Sequence, residues 1–141
     1  MCFLLCAALF LLAVSVAAQE KITFKRLTAA ILKIDGKQVK VWDIYEAEKH
    51  GRTLLLQLGR RYLLLDIKER EILEIDPSAI AGKTKGDLIV TRAAQREKSI
   101  ASDEWSVRNV GPALAIKVFL TAEGRLLELQ VPLRTDERRV W

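Results

Sequence analysis

The chain has 141 residues, of which 23 are Lys or Arg, 18 are Asp or Glu and half are hydrophobic, and its formal net charge is +5. This length fits one domain rather than two, and a body of this size buries roughly two thirds of its unfolded surface without help from metals or disulfides. The composition excludes a disordered chain, a collagen-like repeat and a membrane protein with several spans.

The N-terminal segment differs from the rest of the chain. Residues 1–18 carry no charge and end in the small residues Ser15-Val16-Ala17-Ala18, a pattern typical of a signal-peptidase site. We therefore expect 1–18 to be a cleaved signal peptide and the mature protein to be exported, either periplasmic or secreted. The alternative is an uncleaved N-terminal anchor, because the apolar run is just long enough to span a bilayer and cations follow it. After cleavage we expect no membrane span.

The clearest hairpin of the body is centred on Asp35-Gly36. This dipeptide supplies the two positive-φ positions of a type I′ turn, whose twist suits two antiparallel strands. The predicted register places Lys33 opposite Gln38 and Leu32 opposite Val39. Further along, 44–50 has features of a short helix, but the extended pattern before it favours a strand to about Tyr45 followed by a turn.

A second hairpin is rich in leucine. Residues 53–58 and 62–67 flank the turn Gly59-Arg60. In this register the leucines fall on two faces. One face carries Leu54, Leu56, Leu63 and Leu65, and the other carries Leu55 and Leu64. A strand that is apolar on both faces is central and covered on both sides.

The remaining elements follow in order. A charged reversal at 68–71 leads to a strand at 72–75, and Asp76-Pro77 predicts one helical turn. Further strands are predicted at 87–91, from 105 to the break at Gly111-Pro112, at 113–120 and at 127–133. Residues 93–104 can be either helix or loop on the sequence alone, and their composition favours helix.

These elements predict an all-β fold. About seven to nine short strands, with turn signals every 8 to 12 residues, are typical of a single antiparallel sandwich or a small barrel. We expect at most one or two short helical turns. The domain boundaries are therefore 19–141 for one β-rich domain, with a charged C-terminal tail from about residue 134.

No catalytic group, metal site or cofactor is predicted. His50 is the only histidine, and both cysteines, Cys2 and Cys6, lie in the expected signal peptide. A His-based acid–base pair or a thiolate metal site would need partners that the body lacks. Among the carboxylates, Asp66 and Glu74 lie nearest to the predicted strands and are the candidates for a hydrolytic pair.

The predicted ligand or partner site consists of aromatic side chains. It comprises Trp42, Tyr45, Tyr62 and Trp105. At least one of these side chains must face away from the main apolar layer unless both faces of its strand are covered. Nucleic acid is disfavoured as a partner, because the cations are scattered and aromatic residues make up only 6% of the chain.

Together these observations favour an exported, non-catalytic β domain that binds an unknown protein or a cell-envelope component. The alternative is a β-barrel carrier of an apolar small molecule or lipid, since a barrel with a leucine-rich interior can hold one ligand. A hydrolase is the least favoured reading. If the leucine face packs against a second sheet the binding domain gains support, and if it lines a void the carrier does.

Overall fold

A computed structural model describes residues 20–39, 43–48, 52–82 and 86–133 of the chain; the expected signal peptide and the charged tail lie outside these ranges. The described residues are almost entirely strands, with two isolated 3-10 turns at Pro77–Ala79 and Ala94–Arg96 and no α-helix. The expected all-β fold is confirmed. A search of the same residues for a helix of membrane-spanning length and apolarity finds none.

Thirteen strands occur in the described residues. They are β1 (Glu20–Arg26), β2 (Ile31–Ile34), β3 (Lys37–Gln38), β4 (Asp43–Ala47), β5 (Thr53–Leu58), β6 (Arg61–Asp66), β7 (Glu71–Ile75), β8 (Ile80–Gly82), β9 (Leu88–Arg92), β10 (Glu97–Ile100), β11 (Ser102–Val110), β12 (Ala113–Leu120) and β13 (Arg125–Pro132). The number exceeds the expected seven to nine because the sequence predicted no strand for β1, for the three-residue β8 or for β10, which lies in the segment expected to favour helix.

The strands form two antiparallel sheets. The large sheet has the order β10-β7-β6-β5-β4-β1-β9-β8, and the small sheet has the order β11-β12-β13-β2-β3. The β2–β3 hairpin belongs to the small sheet. The strands before and after it in the chain, β1 and β4, pair with each other in the large sheet. The chain changes sheets once more at Ala101, between β10 and β11.

Both predicted hairpins are present. Asp35 and Gly36 have φ values of 52° and 80°, and Lys33 lies opposite Gln38 as expected. The Asp35 carboxylate also accepts a hydrogen bond of 2.9 Å from the backbone N–H of Leu126, which attaches the turn to β13. The segment from 43 to 47 is a strand and not a short helix.

The leucine hairpin β5–β6 is covered on both faces, as predicted. Leu54 lies opposite Leu65 and Leu56 opposite Leu63. These four side chains are fully buried in the core between the sheets. They pack there with inward residues of the small sheet, which are Leu32, Leu114, Ile116, Val118, Leu120, Leu127, Leu129 and Val131.

A second core lies on the other face of the same hairpin. Leu55 and Leu64 pack there with residues from five further elements of the large sheet and its connections, namely Ile22, Phe24, Tyr45, Ala47, Ile75, Ala79 and Val90. The large sheet must curl for these residues to meet, because β1 and β9 are far from β7 in the strand order. Its ends approach each other where the Arg92 guanidinium donates two hydrogen bonds, of 2.7 and 3.0 Å, to the Glu97 carboxylate.

Residues 93–104 contain strands, so the helical preference predicted for them is wrong. After the 3-10 turn Ala94–Arg96 the chain forms β10, in which Ile100 lies opposite Ile72 of β7, and then enters β11. Pairing with a completed neighbouring strand outweighs intrinsic helix propensity, which amounts to only tenths of a kcal/mol per residue. The Asp76 turn, in contrast, forms as predicted: the Asp76 carboxylate accepts a hydrogen bond of 2.9 Å from the backbone N–H of Ser78.

A buried arginine connects the two sheets. The Arg52 guanidinium, with a side chain that is 1% exposed, lies 2.7 Å from the Glu46 carboxylate, which is 12% exposed. Arg52 also donates a hydrogen bond to the carbonyl oxygen of Pro132 at the end of β13. Both charges are therefore compensated at the point where the large sheet meets the small one.

Burial of the leucine hairpin predicts that Leu56→Asp unfolds the domain. A carboxylate without a partner in this core costs several kcal/mol, whereas Ile31→Asp, on a strand but 39% exposed, should change the free energy of unfolding by only about 0.5 kcal/mol. Thermal and urea denaturation followed by circular dichroism measure the stability of both variants. A folded Leu56→Asp variant with an unchanged melting curve would contradict burial on both faces.

The ion pair predicts a non-additive result for two substitutions. Arg52→Met should lower the free energy of unfolding by about 3–5 kcal/mol, because it removes the guanidinium that lies 2.7 Å from the buried Glu46 carboxylate. Adding Glu46→Leu should recover most of this loss, since no charge then remains buried. Urea denaturation of the two single variants and the double variant completes the cycle, and simple additivity would show that the pair is not coupled.

Candidate binding face

The tyrosines of the predicted aromatic site lie together on the inner side of the curled sheet. Tyr45 is buried in the second core, and its hydroxyl is 3.3 Å from Gln57 Oε1 and 3.5 Å from Asp43 Oδ2, with a geometry that donates to either oxygen. Burial, followed by the nearby Asp43 carboxylate, raises the pKa of Tyr45 above its ordinary value. Tyr62 is half-buried and packs against the same core. Both side chains thus contribute to packing at one end of the curl.

Trp105 is not brought to that end. Trp105 is half-buried against the core between the sheets, and its indole N–H donates a 3.1 Å hydrogen bond to Ser102 Oγ. Trp42 lies outside the described residues. The three described aromatic residues of the predicted site therefore divide between two different cores, and their role in binding stays a prediction.

The two carboxylates singled out for a hydrolytic pair lie on opposite faces of the large sheet. Asp66 shares the face of Leu64, while Glu74 lies opposite Leu63 and is paired with Arg61 at 3.0 Å. Asp66 lines a recess of about 190 Å³ at the open end of the curl, where Glu20, Glu71 and Arg92 also lie. The described part of the chain holds no group of three His, Cys, Asp or Glu arranged to bind a metal.

A larger groove, of about 270 Å³, lies on the solvent side of the small sheet. Its origin is the alternation of β12, in which Leu114, Ile116 and Val118 face the core between the sheets. The intervening residues then point to solvent. We call this surface the outer face. Its central residues are Ile31, Lys33, Ser106, Arg108, Val110, Ala115, Lys117, Glu128 and Gln130.

Strand pairing orders the side chains of the outer face into rows. One row runs Arg108, Ala115, Gln130, Ile31, and the next runs Ser106, Lys117, Glu128, Lys33. Direct cross-strand neighbours have Cβ atoms about 4.5–5.5 Å apart. The Glu128 carboxylate is thus flanked by a lysine on each side, whereas the direct neighbour of Arg108 on β12 is Ala115.

The outer face combines positive charge with exposed apolar surface. Three cations, Lys33, Arg108 and Lys117, accompany one carboxylate in the groove. Ile31 and Val110, which are 39% and 50% exposed, are the exposed large hydrophobic residues of the described chain, and both lie at this groove. The small side chain of Ala115 makes the groove deeper between Ile31 and Val110. Exposed apolar groups beside cations are suited to binding a partner that carries both apolar and anionic groups.

The outer face was not predicted from the sequence. The alternation of Ala113, Ala115, Lys117 and Phe119 with the core residues of β12 is visible in the sequence. However, Ile31 and Lys33 belong to β2, which is far from β12 along the chain. Only the strand order, in which β13 lies between β12 and β2, places them on the same face.

Two polar contacts attach the ends of the outer face to the large sheet. Arg52 holds Pro132 at the end of β13. At the opposite end, the Arg61 guanidinium lies 2.7 Å from Glu123 in the β12–β13 turn and 3.0 Å from Glu74 of β7. The hydrogen bond with Arg61 is the main reason that the pKa of Glu123 is lowered, and bonding to the Glu123 and Glu74 carboxylates raises the pKa of Arg61.

Comparison of the chain with protein-family models, with curated proteins and with solved structures found no significant match. The candidate site therefore depends on its own geometry.

The Arg61–Glu123 contact predicts a specific dependence of stability on pH. Because the folded protein lowers the pKa of Glu123 below the ordinary value of about 4.3, the contact stabilises the fold fully above that pH and is lost as the pH falls through the folded pKa. Glu123→Gln should lower the free energy of unfolding at pH 7 on the order of 0.2–1 kcal/mol. The two proteins should become equally stable in strong acid.

Urea denaturation from pH 7 down to pH 2 tests this expectation. Glu69→Gln, at the exposed tip of the β6–β7 hairpin, is the matched control and should follow the wild-type curve. A Glu123→Gln difference that persists at the lowest pH would contradict an ionic origin.

Proposed function

We propose that this protein is an exported, non-catalytic binding domain that contacts a protein or a cell-envelope component through the outer face. The observation that carries the proposal is the coincidence of Ile31 and Val110 with three cations in one groove. A solvent-facing antiparallel sheet ordinarily presents polar side chains on that side. Exposed apolar side chains grouped in a groove with unbalanced charge are characteristic of an interaction surface.

Binding is better supported than catalysis by the positions of the acidic residues. Asp66 and Glu74 point away from each other across the sheet, and Glu74 is neutralised by Arg61. General acid–base work needs two groups on the same side of a substrate. Because Asp66 and Glu74 lie on opposite faces of the sheet, they do not meet that requirement.

The carrier alternative has less support than the binding domain. The leucines that would line its cavity pack against the small sheet, and Leu55 and Leu64 fill the interior of the curl. The recess beside Asp66, at about 190 Å³, is smaller than the 300–1,000 Å³ that is usual for small-molecule sites. A flat or grooved sheet surface is better suited to a macromolecular partner.

Site-specific photo-cross-linking tests the proposal. A photoreactive amino acid at position 117, in the centre of the outer face, should give a cross-linked adduct in cells that naturally make the protein. The same amino acid at position 98, which is exposed on β10 of the large sheet, is the matched control and should give none. Arg108→Glu in the same chain should abolish the adduct at 117. Equal adducts at both positions, or none at 117, would overturn the proposal.

The denatured mass of the same chain, expressed with its own N-terminus, tests export. Loss of the first 18 residues supports the periplasmic or secreted location. A mature mass that includes them would favour the anchor.

A further inference from the structure

The outer face carries an excess of positive charge that the fold does not neutralise. Lys33, Arg108 and Lys117 form no ion pair with another described residue. Three cations against the single carboxylate of Glu128 leave two positive charges in excess in the groove. An excess of one sign on a surface attracts partners of the opposite sign. The outer face is therefore suited to an anionic partner.

One place on this face brings three hydrogen-bond donors together. Ser106 lies directly opposite Lys117, and Arg108 is the diagonal neighbour of Lys117 because it pairs with Ala115 two residues earlier. Diagonal neighbours are about 7–8 Å apart, within reach of long side chains. A hydroxyl, an ammonium and a guanidinium thus converge above the small side chain of Ala115. A phosphate, with several acceptor oxygens, matches such a group of donors.

Exposed apolar side chains lie on both sides of these cations. Ile31 lies on β2 and Val110 on β11, which are three strand spacings apart in the small sheet, or about 14 Å. A partner that contacts both is wide, and it presents anions beside apolar surface. The surface of a bilayer that contains anionic phospholipid has this combination, since the phosphates lie directly above the acyl chains.

From this arrangement we infer that the outer face binds peripherally to membranes that contain anionic phospholipid. Arg108 and Lys117 hold a lipid phosphate, and Ile31 and Val110 contact the boundary between headgroups and acyl chains. This inference rests on the proposed function and specifies the cell-envelope component. The groove, at about 270 Å³, is smaller than the 300–1,000 Å³ usual for a complete small molecule. It therefore accommodates a headgroup and not an entire lipid.

Two other occupants fit this face less well. A second copy of the chain would place two surfaces with the same excess of positive charge against each other, which is unfavourable. An acidic protein would need carboxylates at fixed positions that match cations on three different strands, β2, β11 and β12. Lipid headgroups, in contrast, move laterally until a phosphate meets each cation. Charge complementarity and the width of the face together favour the membrane.

Co-sedimentation of the full chain with lipid vesicles tests the inference. Vesicles of phosphatidylcholine alone are compared with vesicles of phosphatidylcholine and phosphatidylglycerol in equal amounts. We expect binding to the mixed vesicles to be about 25-fold tighter, which is about fivefold for each of the two excess charges, and to weaken as salt is added. Any contribution of the apolar residues 1–18 is common to both kinds of vesicle. Equal binding to both would overturn the inference.

Substitution of single exposed residues separates position from net charge. Arg108→Gln and Lys117→Gln should each weaken binding to the mixed vesicles about fivefold. Val110→Ser should weaken it about threefold, because an apolar contact is lost at constant charge. Lys98→Gln, on the exposed strand β10 of the large sheet, is the matched control and should leave binding unchanged. An equal loss with Lys98→Gln would mean that net charge alone governs binding, which contradicts the inference.

Photo-cross-linking on the mixed vesicles locates the contact. A photoreactive amino acid at position 117 should give an adduct with the mass of the protein plus one phosphatidylglycerol molecule. The same amino acid at position 98 should give none. Equal lipid adducts at the two positions, or none at 117, would show that the outer face does not lie on the bilayer.

Other occupants of the outer face give different results. Displacement from the vesicles by glycerol phosphate at the same phosphate concentration would identify a soluble phosphate ester as the ligand. A dimer adduct at 117 without vesicles would identify a second copy. A protein adduct at 117 in cells, with no lipid adduct on vesicles, would identify a protein partner. Each of these results overturns the inference, but the protein adduct would still support the proposed function.

Discussion

Burial of leucine on both faces of the β5–β6 hairpin is the constraint that the other layers satisfy. Each buried leucine contributes about 1.5–3 kcal/mol only when its face is covered. Leu54 and Leu56 on one face require the small sheet, and Leu55 on the other face requires the large sheet to curl until β1 and β9 reach it. A flat single sheet would leave one of these faces in water. The two-core architecture is the arrangement that covers both.

Polar contacts at the perimeter determine how the two sheets are placed on each other. Apolar packing is not directional, so leucine burial alone allows many relative positions. Arg52 reaches from the large sheet to Glu46 and Pro132, and Arg61 reaches to Glu123 at the opposite end of β13. Hydrogen bonds to a guanidinium require specific directions. These two contacts therefore favour one register between the sheets.

The outer face results from the division of the small sheet into a covered and an uncovered side. Its inner side is occupied by the core, and its outer side retains Ile31, Val110 and an excess of cations. The edge strand β11 borders the same groove. Exposed apolar groups and cations thus lie together in one groove, which is why the proposed partner is a macromolecule or a membrane surface rather than a compact ligand.

The sequence by itself determined the local elements of this protein. Asp35-Gly36 specified a hairpin turn, and Asp76-Pro77 specified a helical turn with Asp76 as its cap. The leucine pattern of 53–67 specified that the hairpin is buried on both faces. Each of these signals acts between residues that are close together in the chain. Tertiary structure decided the strands of 93–104, whose pairing with β7 outweighs local helix propensity. It also decided the outer face, since residues 31 and 33 of β2 lie beside β13 only through the strand order. β2 is distant along the chain from the consecutive strands β11, β12 and β13 that form the rest of the candidate site, and no local periodicity encodes which strands lie side by side.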